Sequence, residues 1–482
     1  MIRIKPIDMA FLLLENPSRS LHMCAFMLFD PPRGQEQTFA ARVVDTYRKS
    51  QVARPFNYKL KWLGKGLAAW ETVQPDMNFH IRHIAIPRPG SMEQFYDTIS
   101  FLNSTLLDRG HPLWECYVVE GLENNRVAVM VKVHHSMIDG EGGLRAFRNS
   151  MSDSVRDKSI RGPWMPLGAE GKPRRAPPTS TPMQALLKRL SKLPGDLVGF
   201  GSEAVNLGAQ SLNLKPRAGS LPFTARRTLF NNVAQSGARR YANTELPLEE
   251  IKSLARATGT SLNDVVMALV DDALHHYLRE HGQATDRPLV AFMPMSLREE
   301  GAEDGGNQVT AELIAMGEPA ANITRRLQQI QASTQRAKEK GRGLKRSVRE
   351  VYALLLMGSL TLGDTLPVFG KVPSANLVIS NMKGPGEQLF MGGAQLVAFH
   401  GLPILPPGAG LNVTFASVHK DLCLGIGASP EAVNEPFRLT QLIHQSLGKL
   451  QAAVAGKAAR PRPAAPRKPE KSPKPKATRR AS

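Results

Sequence analysis

From Val127 to Val133 the chain alternates: Val127, Val129, Val131 and Val133 fall on one side of an extended backbone, and Ala128, Met130 and Lys132 on the other. The pattern predicts a strand. It runs on into His134 and His135, so a persisting strand sends His135 into the valine side and His134 into the mixed side. A second strand is predicted over 112–119, pairing with the first across 123–125. Residues 23–29 read as a buried strand ended by Asp30-Pro31-Pro32. Helical spacing covers 38–50 and 94–107, where Phe95, Ile99, Leu102 and Leu106 share a stripe. Further on, Ser261 opens a capped helix whose Leu262, Val265, Val266, Leu269, Ala273 and Tyr277 form one stripe. Strands are predicted at 289–293 and 375–380, a hairpin at 410–418 and 421–426, and helices at 324–340 and 437–450. Mixed strands and helices on this scale predict an α/β (α+β) protein.

The candidate chemistry sits where the valine strand ends. An imidazole desolvated among valines is pushed towards its neutral form, which can take a proton from an alcohol. His135 is therefore the candidate general base, with His134 as its rival. Asp139 has two roles open to it: orienting His135, or turning away to pair with an arginine that braces the loop. Gly140, Gly142 and Gly143 then let the backbone turn sharply. Adjacent strand residues point apart, so the two histidines chelate one ion poorly, and no metal site is expected. Asn263 and Asp264 satisfy the first-turn amides of the 261 helix or take a role in the site. His275 and His276 show no acid at catalytic spacing and read as surface or packing residues. Arg298 is a free surface charge or a partner for Asp139.

His134-His135-x-x-x-Asp139-Gly140 resembles the HHxxxDG motif of the CoA-dependent acyltransferases, which include chloramphenicol acetyltransferase and peptide-synthetase condensation domains. Pro6-Ile-Asp8-Met-Ala-Phe11, Pro112-Leu113-Trp114-Glu115, Asn263-Asp264-Val-Val266, Pro294-Met-Ser296-Leu-Arg298 and Asn376-Leu-Val-Ile-Ser380-Asn381 narrow the match. Together they resemble the bacterial wax ester synthase/diacylglycerol acyltransferase family, in family order, over roughly 1–450. Lys383 departs from the proline expected there. The resemblance implies two chloramphenicol-acetyltransferase-like domains with mixed sheets, joined by a helical linker, with an active-site tunnel between them. It implies acyl transfer from acyl-CoA to diacylglycerol or a long-chain alcohol, with no cofactor. It places the Pro112–Trp114 block in support of the acyl-donor side, marks Asn263 and Asp264 as a motif, and favours an Arg298–Asp139 pair. No Gly-x-Ser-x-Gly elbow is present, so direct transfer is expected rather than a covalent acyl-enzyme.

Composition sharpens this. The 482 residues carry a net charge of +20, of which residues 457–482 hold +9 (ten Lys/Arg against one acid). A basic body with a basic tail suits anionic membrane or lipid-inclusion surfaces and the CoA phosphates. Nucleic acid is disfavoured, because the tail lacks interleaved aromatics for stacking. Three cysteines, Cys24, Cys116 and Cys423, without metal spacing point to a reducing compartment. No cleavable signal is expected, since the apolar run from Phe11 stops at Glu15. The longest apolar run, 352–363, falls short of the roughly 20 residues of a spanning helix; it lines a greasy tunnel or fills the core. The expected location is cytoplasmic, peripheral to the inner membrane or lipid inclusions. The expected divisions are a domain at 1–151, a Pro-rich basic linker at 152–222, a second domain at 223–455 and a disordered tail at 456–482. Within the linker, 183–193 is a basic amphipathic helix that lies on lipid or packs on its own domain. Two alternatives stand beside the main reading: a related acyltransferase with another hydroxyl or amine acceptor, and a basic lipid-inclusion-binding protein without activity.

Overall fold

The computed structural model describes residues 1–166, 222–296, 309–343, 356 and 373–458, apart from 5, 65–66, 139, 234–236, 383, 403 and 406–407. The first stretch contains β1 (Ile2–Arg3), α1 (Pro6–Leu14), β2 (His22–Asp30), α2 (Phe39–Arg48), β3 (Tyr58–Gly64), β4 (Leu67–Thr72), α3 (Met77–His80), β5 (Ile81–Ala85), α4 (Met92–Ser104), β6 (Trp114–Glu120), β7 (Val127–His134) and α5 (Gly140–Asn149). Then come β8 (Arg240–Pro247), α6 (Leu248–Thr258), α7 (Leu262–Glu280), β9 (Val290–Ser296), β10 (Val309–Ala315) and α8 (Ile323–Gly343). The chain closes with β11 (Leu377–Met382), β12 (Phe390–Met391), β13 (Ala394–Leu402), β14 (Leu411–Val418), β15 (Asp421–Ala428) and α9 (Pro436–Ala458).

Two six-stranded sheets form the frame, in the orders β12-β13-β2-β7-β6-β5 and β10-β9-β11-β14-β15-β8, beside a small sheet β1-β4-β3. Both large sheets are mixed: β5–β6 is parallel in the first, and β9–β11–β14 in the second. The hairpin expected between 112 and 134 is β6–β7, with Val118 opposite Val129.

Strand β7 lies near the middle of the first sheet and is buried along its whole length. Val127, Val129, Val131 and Val133 pack in a core with Phe39, Val43 and Tyr47 of α2. Ala128 and Met130 pack on the other side against Phe95, Tyr96 and Ile99. The side read as mixed is therefore also interior, and Lys132 is 0% exposed there. Its ammonium donates to the Leu102 and Thr105 carbonyls at 3.1 and 2.5 Å, where the C-terminal end of α4 concentrates partial negative charge. The sequence offered a charge; the helix end gave it a place.

Helix α7 carries the expected cap: the Ser261 hydroxyl accepts from the Asp264 N–H, and the Asp264 carboxylate accepts from the Ser261 N–H. Burial extends beyond one stripe to Met267, Val270, Leu274 and Leu278, because α8 and α9 flank α7 while the sheet covers its base.

Residues 390–402, which a boundary at 223 assigns to the second domain, hydrogen-bond into the first sheet: β13 pairs antiparallel with β2, Phe399 facing Met27. The crossing brings β13 over β15 of the other sheet. A Cβ at Gly425 would run into the Gly401 carbonyl oxygen, so the close approach requires glycine. His400, 1% exposed on β13, sits 2.7 Å from the Glu245 carboxylate on β8 and ties the sheets together. The 183–193 helix, the 352–363 apolar run apart from Leu356, and residues 459–482 of the tail lie outside the described residues. No described helix is long and apolar enough to cross a membrane.

Candidate active site

Strand β7 ends at His134, not His135. The His134 N–H donates to the Leu113 carbonyl (2.9 Å) and the His135 N–H to the Leu21 carbonyl (3.0 Å), one to each side as in a strand, and the chain then turns, the Met137 N–H donating to the His134 carbonyl (2.9 Å). The expectation that His135 enters the valine side was conditional on a strand that persists, and β7 ends one residue before it. His134 is the sealed imidazole, 0% exposed, and His135 is half-buried. The His135 ring stacks on Phe11 of α1, with centroids 4.4 Å apart and planes at 21°.

The surroundings of His134 fix its tautomer. Its Nδ1 accepts the Ser136 N–H (3.1 Å) and lies 2.6 Å from the Ser136 hydroxyl. With that lone pair engaged by an N–H, the ring proton belongs on Nε2. Nε2 lies 3.4 Å from Glu15 Oε1. Glu15 also accepts from the Leu21 N–H (3.1 Å) and from Arg109 (3.2 Å). Burial pushes the Glu15 carboxyl upward, but His134, the Leu21 amide and Arg109 outweigh it and hold it at about 2. One nitrogen of His134 is thus hydrogen-bonded to Ser136, and the other is buried facing the Glu15 carboxylate. Across the sheet, His22 pairs with His134 in the ladder and is itself held near 3 by burial and the neighbouring Lys132 charge, while its Nε2 meets Asn103.

The Pro112–Trp114 block builds the floor. Pro112 bridges Lys59, and Leu113 receives the His134 amide. Trp114 is 0% exposed, donates from its indole to the Phe56 carbonyl (2.8 Å) and is sandwiched by His80 and Trp164. It is a packing residue that holds the start of β6.

Gly140 begins α5, and the helix lies over an apolar cleft. Met23 and Ala25 of β2, Val131 and Val133 of β7, and Leu144 and Phe147 of α5 line it. Met382, Phe399 and Gly401 close it from the later part of the chain. A Cβ on Gly143 would meet only the Met23 methyl, at 4.0 Å, so this position leaves the cleft open.

Asp264 is 3% exposed and fully used, capping α7 and accepting from Thr334 on α8 (2.7 Å). Asn263 is directed elsewhere: its Oδ1 accepts from Asn381 (2.8 Å), one residue before the cleft-lining Met382. The structure thus splits the pair into a cap and a tie between α7 and β11. Asp139 and Arg298 lie outside the described residues. His275, read as having no acid at useful spacing, has Asp271 one turn earlier at 3.6 Å, and His276 has Asp272 at 3.8 Å. Both acids belong to a buried charge cluster with Arg326. Among the described residues no group of three His, Cys, Asp or Glu is placed to hold a metal ion.

Sequence reading passed over Phe11 as a contact, and over Glu15 and Ser136. The visible signal was Glu15 interrupting an apolar helix; that the charge is buried against His134 follows only from packing.

Residues 4–266 match the wax ester synthase/diacylglycerol acyltransferase catalytic domain, and 305–451 match the WS/DGAT C-terminal domain. The chain is 60% identical over 458 residues to the probable diacylglycerol O-acyltransferase Tgs4 of Mycobacterium tuberculosis, covering 94% of this chain and 97% of that protein. It is 33% identical over 455 residues to the probable diacylglycerol O-acyltransferase tgs2 of the same organism, covering 93% and 98%. Among solved structures, the wax ester synthase/diacylglycerol acyltransferase from Marinobacter aquaeolei VT8 superposes with a TM-score of 0.73 at 25% identity, covering 94% of this chain and all of that one. The first condensation domain of the CDA synthetase shares the two-domain fold, with a TM-score of 0.57 at 15% identity. Both family models occur in chain order around the histidine pair and the cleft, and the chain belongs to the wax ester synthase/diacylglycerol acyltransferase family.

Proposed function

We propose that this protein transfers a fatty acyl group from acyl-CoA to diacylglycerol or a long-chain alcohol, with His135 as general base. The observation that carries the reading is the apolar cleft beneath α5, the helix that starts five residues after His135 and follows the motif directly. Its relatives are named for the same chemistry. The acceptor oxygen attacks the thioester carbon while His135 takes the hydroxyl proton. The C–S bond then breaks, and the proton passes to the CoA sulfur. His134 supports this division of labour, since both of its nitrogens face protein partners. Asp139 and Arg298 are proposed, from sequence, to brace the loop as a pair. Met382 of β11 brings the second sheet to a cleft otherwise lined largely by the first, which supports a tunnel between two domains divided near 151 and 223. No cofactor enters the step.

Purified protein assayed with radiolabelled acyl-CoA against dioleoylglycerol, hexadecanol and a long-chain amine tests the reading. Ester formed from either hydroxyl acceptor supports it. Amide alone supports the amine-acceptor alternative, and no product with any acceptor overturns it in favour of a non-catalytic lipid-binding role.

The cleft is proposed to take the acyl chain. Gly143→Leu fills it from α5, and each methylene denied burial is worth about 0.8 kcal/mol. The ratio of kcat/KM for palmitoyl- to octanoyl-CoA is therefore expected to fall by at least about tenfold; an unchanged ratio would place the chain elsewhere.

We also propose peripheral attachment to an anionic membrane or lipid-inclusion surface. Lys61, Trp62 and Leu63 all stand exposed at the end of β3, with Trp62 44% and Leu63 53% accessible. Indole, leucine and lysine together suit the headgroup boundary. Trp62→Ser/Leu63→Ser should lower co-sedimentation with phosphatidylglycerol-containing vesicles; equal binding by wild type and variant would move the contact elsewhere.

A further inference from the structure

The opening block Pro6–Phe11 matches the family but has no part in the chemistry above. The structure places it on α1, and α1 reaches both histidines. Phe11 stacks on His135. Four residues later, Glu15 continues the helical hydrogen bonding by donating its N–H to the Phe11 carbonyl (3.2 Å), and its carboxylate lies 3.4 Å from His134 Nε2. Residues four apart share one face of a helix. Successive strand residues point apart, and the chain turns directly after His134, where the Met137 N–H donates to the His134 carbonyl (2.9 Å).

We propose that the end of α1 is a clamp that positions the histidine pair, with Phe11 setting the plane of the His135 ring and Glu15 holding His134. Neither residue is a catalytic group; the claim rests on the general-base reading of His135.

Three contacts stiffen the clamp. The Leu21 peptide joins both halves, its N–H donating to Glu15 and its carbonyl accepting from the His135 N–H. Arg109 donates to Glu15 and to the Leu12 carbonyl (2.7 Å), locking the carboxylate to the end of the helix. Ser136 engages His134 at Nδ1, on the edge opposite the nitrogen that faces Glu15. A ring stacked against a phenyl group loses that contact when it tips, which biases its nitrogens, on the edge, towards one plane. Proton transfer needs that alignment: a misplacement of about 1 Å costs on the order of 10²-fold in rate.

The test compares Phe11→Leu, Phe11→Tyr, Glu15→Gln and His135→Ala in the full chain, reading kcat, KM for acyl-CoA, Tm and the pH profile of kcat/KM. Phe11→Leu should lower kcat about 10- to 100-fold with KM within about threefold of wild type. Phe11→Tyr keeps an aromatic face and should recover kcat to within about threefold of wild type. Glu15→Gln should lower kcat and move the acid limb of the profile to lower pH, because a carboxylate near imidazoles favours their protonated forms. Should Glu15→Gln fail to fold, the two Phe11 variants decide. Phe11→Leu at near-wild-type kcat, or Phe11→Leu and Phe11→Tyr equally impaired, overturns the clamp. An inactive His135→Ala beside a fully active Phe11→Leu overturns the clamp alone. An active His135→Ala overturns the general-base reading on which it rests.

Discussion

Replacing His135 by alanine is expected to lower the rate of acyl transfer by about 10²–10⁴-fold, the range that positioned acid–base help contributes. The reacting alcohol is a poor nucleophile until its proton has somewhere to go, and no other described side chain at the motif is placed to take it. His134 has its Nδ1 occupied by the Ser136 amide and its Nε2 turned to Glu15. The substitution removes a half-buried ring and leaves the main-chain bond from residue 135 to the Leu21 carbonyl intact, so the fold should persist. Single-turnover transfer from acyl-CoA, with circular dichroism and Tm as controls, gives the measurement. Near-wild-type turnover in His135→Ala would remove it as the base. His134→Ala should behave differently. It leaves the Glu15 carboxylate, whose side chain is 1% exposed, without its imidazole partner, and its loss of activity should travel with a loss of stability.

Arg326→Met is expected to destabilise the protein by about 3–5 kcal/mol near neutral pH, the cost of leaving a buried charge without its partner. Arg326 is 1% exposed and pairs with Asp271, which is 0% exposed on α7; Asp271 also accepts from the Gly317 N–H at 2.9 Å. Burial drives the Asp271 carboxyl up to about 6 even though Arg326 pulls it down. Relative to the unfolded chain, the folded state therefore favours the protonated form of Asp271, although the carboxyl is still ionised near neutral pH. Its favourable contribution is full below the ordinary value of 3.8 and is lost as pH rises through about 6. Without Arg326 the carboxyl rises further, so the deficit of Arg326→Met should be smaller at pH 5 than at pH 8. Urea unfolding at the two pH values reads this directly. A deficit below about 1 kcal/mol, or one independent of pH, would show that the pair does not hold α7 to α8. Glu15 has the opposite sign. Held at about 2 against an ordinary 4.5, it contributes above 4.5 and is lost as pH falls towards 2.

Local order was readable where one physical signal dominates. The Val127–Val133 alternation gave β7, the reciprocal Ser261–Asp264 pattern gave the start of α7, and the apolar runs at 411–428 gave the last hairpin. Each depends on neighbours within a few residues. The roles at the site were harder, because burial is not a property of a residue alone. His134 and His135 differ by one position in sequence. A turn of the chain and the approach of α1 seal one imidazole and set the other on Phe11. Lys132 reads as a polar residue on a mixed face, yet it is interior because the end of α4 supplies its acceptors.

By itself the sequence determined the mixed α/β class, the position of the histidine pair at the end of a strand, and the family, since these rest on periodicity and on short motifs in order. Only the tertiary structure decided that β13 leaves the later part of the chain to join the first sheet, that Glu15 faces His134, and that the cleft under α5 closes with Met382 and Phe399. Those are contacts between residues far apart along the chain, set by which buried faces and charges found partners, and no local pattern encodes them.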